Sequence, residues 1–174
     1  MMTVLDQKTA CPDWETLFAG AVSFDEPGAS HTSMGVGGKI DLLLHPKSIG
    51  DLGEMLHLLH GHGIPYAVVG NWTNLIITDK GFRGALICTK GLNRINVPPP
   101  GNGVREVQAE TGVPLSELVA FTVRENLTGF EFCAGIPGSV GGGIRMNAGA
   151  YGHSISESVA SVTLMNAMGQ TEIL

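Results

Sequence analysis

Apolar positions along the chain fall into continuous runs and helical stripes, and each predicts a different kind of element. Ile40 to Leu44 is a nearly unbroken apolar run ended by His45-Pro46, which reads as a buried strand. The pattern then becomes helical: Ile49, Leu52, Met55, Leu56 and Leu59 share one face of a helix from Ser48, its N-cap, to about His60. Gly61-His62-Gly63 stops it. Tyr66–Val69 is expected to be a second strand parallel to the first, which makes a βαβ unit with a right-handed crossover. Gly70–Asn74 reads as a turn, Leu75–Thr78 as a short strand and Ala85–Thr89 as a third strand.

The flanks carry weaker patterns. A short helix is expected around Asp13–Phe18, followed by a strand-like Ala21–Phe24. A Pro-Gly surface loop over residues 98–103 separates strands expected near Ile95 and at Val104–Glu110. Pro114 suits the first turn of a helix to about Asn126, with Leu115, Leu118, Val119 and Thr122 inward. Ser158–Met165 and Thr171–Leu174 are expected to form a hairpin over Ala167-Met168-Gly169. A strand at Thr171–Leu174 that stops without a cap, turn or polar tail implies either a piece of a longer protein or pairing with a partner through that strand. No internal repeat or low-complexity tract is present.

Composition narrows the class. With 174 residues and 43% hydrophobic residues the chain is long enough to bury a core, which excludes a disordered chain. A net charge of −6 without a basic stripe argues against nucleic acid as a partner. The three cysteines, Cys11, Cys88 and Cys133, form no CxxC and read as reduced thiols of a cytoplasmic protein. No apolar run approaches a membrane span, so no membrane partner is expected.

Seven glycines fall between Gly135 and Gly152, about where Pro137 stiffens the chain and Asn147 and Tyr151 supply the orienting side chains. Glycine at this density lets backbone N–H groups approach a ligand closely. Two further motifs accompany this string. His31 to Gly38 reads His-Thr-Ser-Met-Gly-Val-Gly-Gly and precedes the first strand. Val68 to Ile76 reads Val-Val-Gly-Asn-Trp-Thr-Asn-Leu-Ile, followed by Asp79 and Gly81. A strand turning on Gly70 offers successive N–H groups with Thr and Asn side chains, which suits a diphosphate without a basic residue. Other patterns fail. A Walker A loop at Gly35–Ile40 lacks a glycine at Ser33 and a hydroxyl at Ile40, and no Gly-x-Gly triplet has a glycine three further on. His57, His60 and His62 have no completing ligand, so no metal site is assigned. Cys133 beside Phe130 and Phe132 is expected to pack in the core, and Arg145 to meet either a phosphate or a surface carboxylate.

In order and spacing, the three motifs resemble those of the UDP-N-acetylenolpyruvoylglucosamine reductases (UDP-N-acetylmuramate dehydrogenases), from about His31 to Leu174. The resemblance implies an α+β fold, an FAD-binding domain of the vanillyl-alcohol-oxidase (PCMH) type with two α+β sub-domains. Its expected divisions are residues 1–38 for the N-terminal extension and first motif, 39–80 for the βαβ sub-domain, and 81–174 for a second sub-domain with an antiparallel sheet and helices. Carried over by position, Gly70, Asn71, Thr73, Asn74 and Leu75 are expected at the FAD diphosphate. Ile136, Pro137, Gly138, Ser139, Gly141, Gly142, Asn147, Gly149, Ala150, Tyr151 and Gly152 are expected to line the rest of the flavin site. For Leu75, Ile136 and Ala150, plain packing is the competing reading.

Trp72 departs from the family pattern, which has glycine there. The indole either tips outward and leaves the backbone path intact, or blocks the diphosphate. The family reaction passes hydride from NADPH through FAD to the enolpyruvyl group of a UDP-sugar, in peptidoglycan precursor synthesis. Its arginine, serine acid and glutamate lie downstream of the segment matching Thr171–Leu174, so no catalytic residue is assigned here. The implied function is the FAD-binding portion of such a reductase, inactive alone, with UDP-sugar binding only where the C-terminal substrate domain is present. The rival is a non-catalytic or degenerate module, or the flavin domain of another oxidoreductase.

Overall fold

The computed structural model describes residues 14–18, 21–99 and 105–174. The expectations for Asp13, Cys11 and most of the 98–103 loop lie outside them. The leading helix is α1, Trp14–Leu17, and the first strand is β1, Val22–Pro27. β2 is Lys39–Leu44, α2 is Ile49–Gly61, β3 is Tyr66–Val69 and β4 is Phe82–Cys88. These strands form one four-stranded sheet in the order β1-β2-β4-β3, with β1 antiparallel to β2 and the other pairs parallel.

The βαβ unit is therefore present, and its two strands run parallel with β4 inserted between them. Residues 81–88, assigned from the sequence to the second sub-domain, contribute the central strand of the first sheet. β4 begins three residues earlier than its apolar run because a buried acid pins it. Asp41, 4% exposed, pairs with Arg83 at 2.7 Å and accepts the Gly84 N–H at 3.1 Å, where the β2–β4 register shifts. Removing that carboxylate would leave a bulge with an unpaired amide.

The sheet is apolar on both faces, which explains the unbroken run at 40–44. Leu42, Leu44, Ala85 and Ile87 meet Leu52, Met55, Leu56 and Leu59 of α2. Ile40, Leu43, Leu86 and Cys88 face the other way, against Val69, Trp72 and Ile77. Ser48 caps α2 as expected, accepting the Asp51 N–H at 3.0 Å. Ile49, expected inward, is 43% exposed at the first turn. Leu75–Thr78 does not form a strand; it lies as irregular chain over the sheet face, with Ile77 buried and Leu75 packed beside it.

A second core is built from elements between Ile95 and Val159, while Met165 near the chain's end packs on the first. β5, Ile95–Asn96, pairs with β6, Gln108–Ala109, much shorter than the strand expected at 104–110. α3, Leu115–Arg124, starts from Pro114 at its N-cap and buries Leu115 and Leu118. α4 is Val140–Met146, β7 is Gly149–Ala150 and β8 is His153–Ser154. Val113, Leu115, Leu118, Phe132, Cys133, Val140 and Ile155 form this core, with Val119 and Ile136 partly buried against it. Cys133 packs there as expected, and burial pushes its thiol pKa up. β9, Thr163–Met165, and β10, Thr171–Ile173, make the closing hairpin. Mutual 2.9 Å backbone bonds between Val162 and Leu174 extend it. No described helix is long and apolar enough to cross a membrane.

Candidate functional site

The turn after β3 carries the first group of expected site residues. Its amides from Gly70 through Asn74 donate to no partner among the described residues, while the strand before it pairs along β4. Asn71 and Asn74 are exposed, Thr73 is half-buried, and Leu75 packs against the sheet. A row of free N–H groups at a strand end forms a concave anion site. Residues 70–75 include no cation, so any anion there is held by backbone and side-chain dipoles.

The glycine string reaches this turn through its first half. A Cβ placed on Gly70 would overlap the Ser139 Oγ, so only glycine permits this approach. Thr73 Oγ1 donates to the Pro137 carbonyl at 3.4 Å, and Gly138, at φ +146°, lies beside the same hydroxyl. Ser139 is buried and caps α4 by accepting the Gly142 N–H at 3.3 Å. Gly70, Thr73, Pro137, Gly138 and Ser139 are thus brought together from positions 64 apart in the chain.

The second half of the string is organised differently. Gly141 packs on Thr111, and Gly143 on Leu115 and Ile155, so glycines inside α4 let the helix sit close to the second core. Gly142 is exposed on the same helix, and Ile136 packs into that core. Asn147 ends α4 in left-handed backbone at φ +45°, and its Oδ1 accepts the Ser156 N–H at 3.2 Å. Its side-chain oxygen thereby supports the fold, with one lone pair and the amide NH2 left over. Gly149 and Ala150 pair with His153 and Ser154 around Tyr151 and Gly152, whose φ values of +56° and +85° make a two-residue primed turn. Tyr151 stands 85% exposed at its tip. No hydrogen bond among the described residues links residues 147–152 to the 70–74 turn.

Trp72 does neither of the things expected of it. Its backbone is left-handed, at φ +61°, and its side chain turns inward to 2% exposure against the sheet. The indole N–H donates to Cys88 Sγ at 3.3 Å, and the ring stacks on His31 with centroids 5.0 Å apart. Left-handed backbone costs about 1–2 kcal/mol. Burying an aromatic ring of roughly 150–250 Å² at about 25 cal/mol per Å² contributes more, about 4–6 kcal/mol as an upper bound. Packing wins, and the indole lies on the sheet side of the turn while Asn71 and Asn74 stay exposed. The first motif closes on the same place: the Ser33 N–H donates to the Trp72 carbonyl at 3.3 Å. Sequence reasoning missed this arrangement, although a large aromatic in a Gly-Asn-x-Thr-Asn turn after an apolar strand is itself a signal of an inward anchor. Arg145 is exposed at the last turn of α4 and has no carboxylate partner among the described residues.

Over residues 40–174 the sequence matches the family of the FAD binding domain. The chain belongs to that family. The UDP-N-acetylenolpyruvoylglucosamine reductase of Syntrophus aciditrophicus (strain SB) is 45% identical over 156 residues, covering 90% of this chain and 50% of that protein. The protein of the same name from Clostridium kluyveri (strain NBRC 12016) is 40% identical, covering 88% and 49%. The chain spans about half the length of the curated relatives it matches. The crystal structure of the reductase from Thermus caldophilus superposes with a TM-score of 0.65 at 25% identity, over 86% of this chain and 50% of that one. Cholesterol oxidase from B. sterolicum shares the fold, with a TM-score of 0.64 at 19% identity over 88% of this chain and 32% of its own. This is an FAD-binding domain, α+β in class.

Proposed function

We propose that this FAD-binding domain serves a flavin-dependent UDP-N-acetylenolpyruvoylglucosamine reductase of the cytoplasm, acting in peptidoglycan precursor synthesis with NADPH as reductant. The observation that carries the reading is the meeting of the free-amide turn at Gly70–Asn74 with the Pro137–Ser139 loop, at a separation only glycine at position 70 allows. These residues fit the group. Gly70, Asn71, Thr73, Asn74 and Leu75 would hold the diphosphate, its negative charge met by N–H dipoles and the Thr73 hydroxyl. Ile136, Pro137, Gly138 and Ser139 would continue the wall, and Gly141, Gly142, Asn147, Gly149, Ala150, Tyr151 and Gly152 would complete the flavin side.

When bound, FAD supplies the hydride chemistry. This chain's residues bind and orient it: the turn fixes the diphosphate, the buried Ser139 cap keeps the Pro137–Ser139 loop in register, and the apolar body of the second core shields one side from water. The groups that orient and protonate the UDP-sugar in this family match none of the residues assigned here, so this chain's residues are given no step in substrate reduction.

Purified protein is expected to carry flavin absorbance, or to take up FAD with a rise in melting temperature, since a ligand specific for the native state must stabilise it. Colourless protein whose melting temperature ignores saturating FAD would refute the reading in favour of a degenerate module.

A further inference from the structure

A bulky aromatic rarely occupies left-handed backbone, and Trp72 does so inside the turn that carries the unpaired amides. Such a conformation persists where the surroundings over-determine it. Three contacts do so here, from two other parts of the chain. The ring stacks on His31 at 5.0 Å with 29° between planes, and the carbonyl accepts the Ser33 N–H, both in the loop before β2. The indole N–H donates to Cys88 at the end of β4, whose sulfur also lies 3.8 Å from the Gly70 carbonyl. His31 is itself fixed: its Nε2 lies 2.9 Å from Glu26 on β1. Thr32 locks the same loop, donating to the Val36 carbonyl at 2.6 Å and accepting its N–H at 3.2 Å. The turn is thus pinned at its middle residue, between Gly70 and Asn71 on one side and Thr73 and Asn74 on the other.

We propose that Trp72 is a positioning residue for the FAD diphosphate, its indole clamped between His31 and Cys88 so that the 70–74 turn holds its amides in one arrangement. The loop around His31 thereby becomes a support of the cofactor site without touching the cofactor. A glycine at position 72 would permit the same φ but could not form this cross-link. The inference rests on the FAD reading above.

The test uses the full chain stripped of flavin and titrated with FAD by calorimetry, with urea unfolding run in parallel. Trp72→Gly and His31→Ala are expected to weaken FAD binding at least about ten-fold. His31→Phe, which keeps a ring to stack, is expected to recover binding to within about three-fold of wild type. Leu86→Ala serves as the control: it empties part of the same core from β4, destabilises the fold, and is expected to leave the FAD dissociation constant within about three-fold. Trp14 and Trp72 are the two tryptophans, so in a Trp14→Phe background FAD titration is expected to quench the remaining emission.

Unchanged FAD affinity in both Trp72→Gly and His31→Ala overturns the proposal. Equal weakening by Leu86→Ala also overturns it, because the role would then be packing alone. If Trp72→Gly does not fold, the contrast between His31→Ala and His31→Phe decides. Wild-type protein that binds no FAD refutes the functional reading and this inference together, whereas wild-type binding with insensitive variants refutes only the inference.

Discussion

Gly70 and Ser139 meet with no room for a methyl group, which gives this contact a measurable coupling. Gly70→Ala is expected to destabilise the fold by about 1–3 kcal/mol through overpacking and to weaken FAD binding. Ser139→Ala alone is expected to cost about 1 kcal/mol as a lost cap. The double variant should be less destabilised than the sum by at least about 0.5 kcal/mol, read from urea midpoints in a double-mutant cycle. Asn147 offers a second case. Asn147→Ala loses a left-handed residue that tolerates its conformation and the bond to the Ser156 N–H, together about 2 kcal/mol. Asn147→Gly is expected to recover the backbone share and cost about 1 kcal/mol. Equal losses in the two variants would show that backbone strain contributes nothing. The chemistry of Asn147 was legible in the sequence, but its direction was not. Residue type states what an amide can bond, and only the return of Ser156 to the end of α4 states what it does bond.

At the scale of elements, α2 was legible because its helical apolar stripe matches its buried face, and β2 because an unbroken apolar run matches a strand buried on both faces. The N-terminus of α2 is specific enough to test. The Asp51 carboxyl lies below its ordinary pKa, chiefly because the Ser48 hydroxyl donates to it at 2.7 Å, with the Lys47 N–H adding a second bond at 2.9 Å. A carboxylate with a depressed folded pKa contributes stability above its unfolded pKa and loses it as pH falls through the folded value. Ser48→Ala is expected to cost about 1 kcal/mol near neutrality. It should also flatten the loss of stability between about pH 6 and pH 2, because the main cause of the shift is gone. An unaltered acid limb in Ser48→Ala would contradict that attribution. Other elements were not legible locally. Leu75–Thr78 carries a strand-like apolar content, yet it lies over the second face of the sheet with Ile77 buried there, and joins no strand ladder. β4 starts at Phe82 because Asp41 reaches across from β2, a contact invisible in the order of residues.

The whole molecule joins two cores, and the candidate site lies where the turn leaving the first meets the loop entering the second. The 174-residue polypeptide with FAD, NADPH and the UDP-enolpyruvyl sugar is expected to show no substrate reduction above the FAD-only background; steady turnover in an NADPH absorbance assay would contradict this. By itself the sequence determined the family, the βαβ unit, the amphipathic helices and the motifs of the candidate site, since these depend on residue type and short spacing. Tertiary structure alone decided the rest: the insertion of β4 between β2 and β3, the division of the glycine string between contact with the 70–74 turn and helix packing, and the inward course of Trp72. Each of these depends on contacts between segments far apart in the chain. Local pattern specifies which faces must be buried, and not which partner buries them.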